Sequence, residues 1–384
     1  MFLGIVVFGM CAEAFSSVDL HAHLWMEHGS PGLFYTGCFE CPLGAKNWKD
    51  KLKSKANRES LEKSGQKLVV AALYAHPLAP GKSLRDSIRN QIREAQNWLK
   101  KNPQWVLAKN ATEAKKQLKE GKRVLVFSVE GGSGILETEE DLKEFVDQEG
   151  VAIVTPLHFT DDTWGGCALL KGASGVFINP IPGVKAKLLG RKTNHQGLTQ
   201  KGHEMLQALI KHRVWIDLGH ASDVSQLQMR PMIEAAGQVP LYTHITVRKY
   251  HGAERGISDE QLDYVARRKG IVGVIPSTFM VHGDLEFRSG CRTGVDAFAE
   301  HYRYISAKVG VDSVMMGSDW NAPMEGLPPG CKTDTSIDQP EGLWNIGQTP
   351  EFWRAVRATG VTLPKDQDVW VTRFLEAWAR TDPR

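Results

Sequence analysis

Two histidines one residue apart, His21 and His23 in Ser17-Val-Asp-Leu-His-Ala-His-Leu24, open the chemistry of this chain. In an extended segment alternate side chains share a face, so Asp19, His21 and His23 project to one side. Two imidazoles aimed at one point begin a metal site. Further candidates follow at the ends of other apolar, β-branched runs: Glu130 in Ser128-Val-Glu-Gly-Gly132, then His158, His220 and His244, and Asp319 in Gly317-Ser-Asp-Trp320. Four imidazoles, from His21, His23, His220 and His244, with one carboxylate from Glu130 suit zinc or another borderline divalent ion, and are too rich in nitrogen for magnesium or calcium. Five protein ligands exceed what one catalytic zinc accepts while keeping a position open, so the expectation is two divalent ions. Glu130, with two oxygens, is the expected bridge, since no lysine ends a strand to serve in carbamylated form. Asp319 is better suited to acid/base work than to being a sixth strong ligand.

The runs that carry these residues are eight: Val18–His23, Lys67–Tyr74, Val124–Glu130, Ala152–His158, Val214–His220, Val239–His244, Gly270–Pro276 and Ser313–Asp319. Between them lie amphipathic segments, Leu84–Lys100, Ala111–Glu120, Glu139–Gln148, Thr199–His212, Asp223–Ala236, Ser258–Lys269 and Val295–Lys308, and Ser258 with Gln261 has the form of a capping box. Alternation of near-continuous apolar strands with helices predicts a parallel sheet, and eight such units predict a (β/α)8 TIM barrel of the metal-dependent hydrolase type. Catalytic residues of that architecture sit at the carboxyl ends of the strands. Metal-type side chains end six of the eight runs, whereas His28, His76, His195, His203, His212, His251, His282 and His301 fall in loops or helices. One histidine at a strand end is ordinary; the joint pattern is not. Residues 16–384 read as a single catalytic domain, with loop insertions near 25–66 and 165–196 over the mouth of the barrel.

Composition sets the surroundings. With 384 residues and 42% hydrophobic content the chain can bury a large core, and 47 Lys+Arg against 44 Asp+Glu, a formal charge of +3, give no reason to invoke nucleic acid. No apolar run reaches the roughly 18 residues of a spanning helix. Residues 1–15 read either as a signal peptide, with Phe2 to Cys11 apolar and Ala12-Glu13-Ala14 as the cleavage site, or as a segment buried against the barrel. Export is preferred to a cytoplasmic location on that ground, and a disulfide among Cys38, Cys41, Cys167, Cys291 and Cys331 would accord with it. A structural zinc at the lone Cys38-x-x-Cys41 is disfavoured, there being no second pair at zinc-finger spacing.

With those residues in view the chain resembles the renal (membrane) dipeptidase family of binuclear zinc peptidases, within the amidohydrolase superfamily. The likeness spans roughly residues 17–320. It rests on Ser128-Val-Glu-Gly-Gly132, Leu157-His-Phe-Thr160 leading to Trp164, Gly197-Leu-Thr199, Ile216-Asp-Leu-Gly-His-Ala-Ser222, Thr243-His244, Arg255 before Ser258–Leu262, and Gly310-Val-Asp312 leading to Met316-Gly-Ser-Asp-Trp320. The resemblance implies that His21 binds one metal, Glu130 bridges, His220 and His244 bind the second, Asp319 handles the proton, and His158 and Arg255 hold the substrate's carbonyl or carboxylate. It suggests a homodimer by analogy. One position departs: the family usually has Asp where this chain has His23, which removes a negative charge from the ligand set and makes the metals more electrophilic.

The expected reaction is hydrolysis of a dipeptide or similar short amide by a water acidified between two zinc ions, with Asp319 carrying its proton to the leaving amine and Arg255 pairing bidentately with a terminal carboxylate. Two other readings stay open: a different amidohydrolase, such as a lactonase, acylamino-acid hydrolase or phosphotriesterase-like enzyme, and a non-catalytic metal-binding barrel. Asp19 and Asp217 are secondary candidates for bracing ligand histidines or a neighbouring element. Trp25, Trp164 and Trp320 are candidates for the pocket wall.

Overall fold

The apolar runs form parallel strands β1 Ser17–Ala22, β2 Gln66–Tyr74, β3 Trp105–Leu107, β4 Arg123–Glu130, β5 Val151–Thr155, β6 Trp215–Ile216, β7 Leu241–Ile245, β8 Ile271–Val274 and β9 Val314–Met316. Eight of them follow the order β6-β5-β4-β2-β1-β9-β8-β7, with β3 attached outside this path to β4. A single parallel pairing of Asp217 with Leu241 bridges β6 to β7, the Leu218 N–H donating to the Leu241 carbonyl at 2.9 Å. The expected (β/α)8 barrel is thus nearly closed. The computed structural model describes residues 17–29, 38–43, 54–76, 83–172, 176, 178–283, 290–322, 324, 326–328, 330–331, 342–366 and 368–383. The amino-terminal segment 1–15, read above as a signal peptide or a segment buried against the barrel, lies outside these residues.

The eight strands of the barrel path bury both faces, as a parallel sheet covered by helices requires; every residue of β2 from Leu68 to Tyr74 is buried. Helix Leu84–Lys101 shows how the outer layer is fixed: Ser83 caps its start by accepting from the Asp86 N–H, and Ile88, Ile92, Ala95 and Trp98 form its buried stripe. The capping box expected at Ser258 and Gln261 starts helix Asp259–Arg268.

Several strands are shorter than the apolar runs. β5 stops at Thr155 before His158, β6 at Ile216 before His220, β8 at Val274 before Pro276, and β9 at Met316 before Asp319. Two of the expected last residues could not lie in a strand at all: His220 has φ 63° and Asp319 φ 55°, left-handed values outside the extended region. β3 and the two helices Thr349–Ala358 and Asp368–Thr381 were not among the predicted elements. The last helix lies at the amino-terminal end of the barrel, where the ring of Phe374 packs 5.5 Å from that of Trp215, the first residue of β6. Asp368 also pairs with Lys67 near the start of β2 at 2.6 Å. Disulfides join Cys38 to Cys41 and Cys291 to Cys331, while Cys167 is a buried thiol. No helix among the described residues is long and apolar enough to cross a membrane.

Candidate metal centre

The carboxyl ends of β1, β4, β6 and β7, with the segments following β5 and β9, converge on the carboxylate of Glu130. Its Oε1 lies 3.6 Å from His21 Nε2, 3.2 Å from His220 Nε2 and 3.4 Å from His244 Nε2. Its Oε2 lies 3.3 Å from His23 Nε2 and 3.5 Å from His158 Nε2. Asp319 Oδ1 is 3.0 Å from His23 Nε2 and 3.9 Å from His21 Nε2. All five expected metal ligands and both expected catalytic residues therefore meet at one end of the barrel. Three overlapping ligand groups result: His21, Glu130 and His244; His21, His23 and Asp319; Glu130, His158 and His220.

What points the imidazoles is a buried network behind them. Asp217, the residue after β6, accepts from the hydroxyls of Thr155 at 2.7 Å and Thr243 at 2.6 Å, and from the N–H groups of Gly219 at 2.9 Å and Thr243 at 3.1 Å. The one hydroxyl proton of Thr243 is thereby committed to Asp217. Its oxygen can then only accept, and it faces His244 Nδ1 at 2.9 Å and His21 Nδ1 at 3.2 Å. Both rings must carry hydrogen on Nδ1 and turn the Nε2 lone pair toward Glu130. His23 is fixed in the same sense, because its Nδ1 lies 3.2 Å from the Ala72 carbonyl, which can only accept.

Lone pairs so aligned need positive charge. His220 and His244 bring their Nε2 atoms within 2.9 Å of each other, and His21 and His23 within 3.3 Å. Two cationic groups meet this need in the arrangement seen. Burial disfavours the charged form of His23, yet hydrogen bonds that its ring donates to the carboxylates of Asp319 and Glu130 outweigh it and raise its pKa to about 10. On the other side the Arg255 guanidinium donates Nη2 to His220 Nε2 at 2.8 Å and to the His244 carbonyl at 3.0 Å. Burial, and then the nearby Arg255, hold His220 well below the ordinary imidazole range. Burial likewise lowers His244, with His21 the next cause, and brings His158 to about 4. Burial alone would raise Glu130, but the surrounding imidazoles push its carboxyl well below the usual carboxylate range. A divalent ion takes neutral imidazoles and an ionised carboxylate; His220, His244 and Glu130 are held in those states, and His23 would release its extra proton to bind one, so the donor set fits a divalent ion.

Arg255 is buried rather than a surface cation, 2% exposed, and its Nη1 has no hydrogen-bond partner among the described residues. It is held by its neighbour. The carboxylate of Glu254 accepts from the N–H groups of Leu169 at 2.9 Å and Asn194 at 2.7 Å through one oxygen, and of Asp223 at 3.0 Å through the other. The Arg255 N–H in turn donates to the Leu169 carbonyl at 3.1 Å. Glu254 thus clasps both ends of the insertion after β5 onto the strand-end rim. Burial raises its pKa to about 7.

The secondary candidates separate. Asp217 is the anchor of the Thr243 network. Asp19 touches no ring; it accepts the His21 N–H at 3.1 Å and the Ser318 N–H at 2.9 Å, tying β1 to the turn that carries Asp319. Burial raises Asp19 to about 6. Gly317 completes that turn, since a Cβ there would fall 1.8 Å from the Thr243 carbonyl oxygen. Trp25 packs against Phe39 and Trp98, with ring centroids 5.1 and 6.1 Å away, and Trp164 packs on Gly132, so neither faces the imidazole cluster. Trp320 is buried, and its carbonyl accepts the His23 N–H at 2.9 Å. Thr155, Thr243 and Glu254 were not among the predicted site residues. The only signal for Thr243 is its place beside His244.

Comparison with known proteins agrees with this geometry. The sequence pattern of the membrane dipeptidases (peptidase family M19) matches residues 10–332. The chain is 26% identical over 129 residues to Dipeptidase 3 of Macaca fascicularis, covering 34% of this chain and 25% of that protein. It is 20% identical over 168 residues to Dipeptidase tcpJ of Claviceps purpurea, covering 44% of this chain and 35% of that protein. The matched stretches are thus well under two thirds of these relatives' lengths. In fold, the chain resembles a metallopeptidase from Rhodobacter sphaeroides, solved with a phosphinate mimic of the dipeptide L-Ala-D-Ala, with a TM-score of 0.69, 15% identity, and 96% and 99% of the two chains covered.

Proposed function

This chain belongs to the membrane dipeptidase family, peptidase family M19, and from that premise we propose that it is a metal-dependent hydrolase of dipeptides or similarly short amides. The observation that carries this reading is the convergence of His21, His23, His220 and His244 on Glu130, at Nε2–oxygen separations of 3.2 to 3.6 Å. In the proposed centre Glu130, His21 and His23 would hold one divalent ion, and Glu130, His220 and His244 a second, zinc by the nitrogen-rich donor set. Such ions, when bound, polarise a carbonyl and acidify water.

The remaining work falls to the chain's own side chains. Asp319, 8% exposed and beside His23, is the proposed base that takes a proton from water and delivers it to the leaving amine. His158, neutral and partly exposed at 16%, offers a hydrogen bond to the oxygen on which negative charge develops. Arg255, with one unpartnered nitrogen, pairs with the terminal carboxylate of a short substrate. Turning to that carboxylate would also release His220 Nε2. A long peptide sets its carboxylate elsewhere, which favours dipeptides.

The test is metal analysis of the purified chain together with a panel of dipeptides whose second residue is L or D, their carboxyl-terminal amides, lactones and acylamino acids. The expected result is bound divalent metal and cleavage of free dipeptides, with the amides poor substrates. Metal without hydrolysis of any panel member would favour a binding barrel. Preference for lactones or acylamino acids would favour another amidohydrolase chemistry, for which His-x-His at positions 21 and 23 is the expected first motif.

A further inference from the structure

The insertion that Glu254 clasps carries a helix built inside out. Pro180–Leu188 buries only the small residues Gly183 and Ala186. Its large aliphatic side chains face solvent: Ile181 is 81% exposed, Val184 44%, Leu188 80%, and Leu189 just beyond it 54%. Ile181, Val184 and Leu188 are spaced i, i+3 and i+7, so they form one stripe, opposite Gly183 and Ala186. A core-facing helix has the reverse arrangement. The helix does not sit on a packed floor either, because a cavity of about 760 Å³ lies against it, lined by Leu169, Leu170, Ala186, Gly252 and Ala253 among others.

Charge says what covers this stripe. No Asp or Glu occurs between Asp162 and Glu204, while Lys185, Lys187, Arg191 and Lys192 cluster around the helix. All four are exposed, and no ion pair of theirs occurs among the described residues. In a chain whose formal charge is only +3, this is a local concentration of cations. Lys185 and Lys187 flank the aliphatic stripe on either side. An apolar ridge turned away from the protein, with lysines along its flanks, is the pattern of a helix lying in the headgroup layer of a bilayer. A second copy of the chain is a poor match, since a two-fold contact would set the lysines against their own counterparts. A projecting ridge also suits a deformable surface better than a preformed socket.

We propose that the helix Pro180–Leu188 docks this protein on an anionic lipid bilayer, with Ile181, Val184, Leu188 and Leu189 entering the headgroup–acyl boundary and the four cations meeting lipid phosphates. The helix adjoins the loop that bears Arg255, so docking would bring the rim of the barrel close to the membrane plane. The inference stands apart from the hydrolytic reading, and neither depends on the other.

Co-sedimentation of the full chain with vesicles of phosphatidylcholine alone, and of equimolar phosphatidylcholine and phosphatidylglycerol, tests it. Binding is expected only to the anionic vesicles and weakens with added salt. Lys185→Gln with Lys187→Gln is expected to lower the partition coefficient about fivefold per lysine, and Ile181→Asp with Leu188→Asp to abolish binding. Absence of sedimentation with anionic vesicles, or equal binding by the parent and the Asp variant, overturns the proposal. So does a dimer in solution that the Asp variant dissociates, which would assign the ridge to a second copy. Circular dichroism of each variant identifies any that fails to fold, and the lysine pair, being fully solvent-facing, keeps the test decisive in that event.

Discussion

Thr243 gives its only hydroxyl proton to Asp217, across 2.6 Å, and that commitment is what makes the same oxygen an acceptor for His21 and His244. One carboxylate at the end of the short strand β6 therefore sets the tautomer of two imidazoles, on β1 and β7, without touching either.

Thr243→Val keeps the shape and deletes the proton. Asp217 Oδ2 is left with the Thr155 hydroxyl alone and both rings lose their brace. A stability loss of about 1–3 kcal/mol is expected, along with metal affinity about 10–100-fold weaker. Urea unfolding and chelator competition measure the two separately, and unchanged metal affinity would remove Thr243 from the orientation of the ligands.

His220→Ala removes an imidazole whose Nε2 faces both Glu130 and His244. The variant should bind less metal than the parent by elemental analysis and lose turnover with it. A full metal complement after dialysis would refute the assignment of His220 to the second ion.

Asp319→Asn preserves size and should preserve the ligand set. Its expected signature is metal content close to the parent's with kcat reduced roughly 10²–10⁴-fold. An active Asn variant would take the aspartate out of the proton path.

Glu254→Gln probes the clasp on the insertion. The carboxyl has a folded pKa of about 7 against an ordinary 4.5, so folding favours its protonated form. Stability from that source is full below about pH 4.5 and is lost as pH rises through about 7. Gln does not titrate. Across this window the parent should lose stability relative to the variant, by on the order of 1–3 kcal/mol, as read from urea midpoints at a series of pH values. Parallel pH profiles would show that Glu254 ionises at its ordinary pKa.

Much of the barrel is legible in the chain because parallel strands covered on both faces must be apolar along their length, and the helices between them carry a stripe and a cap. The candidate ligand residues are legible for a related reason: polar side chains ending such runs have nothing apolar to do there. Other features leave no comparable mark. The left-handed backbone at His220 and Asp319 has only a weak cue in residue type, since His and Asp visit that region more readily than most side chains yet end extended runs as well. Thr243 is an unremarkable strand residue, and its importance arises only from the distance to Asp217. Glu254 looks like any loop carboxylate until the fold buries it among three N–H donors. The Cys291–Cys331 pairing joins positions far apart in sequence, which spacing alone cannot select.

The helix Asp368–Thr381, seated against the starts of the strands, has a kinetic consequence. With that end covered and the barrel's interior filled by side chains, the strand-end rim is the approach to the centre among the described residues. In the proposed hydrolysis, spent fragments leaving across that rim contend with newcomers for the same threshold, and inhibition by product should be competitive.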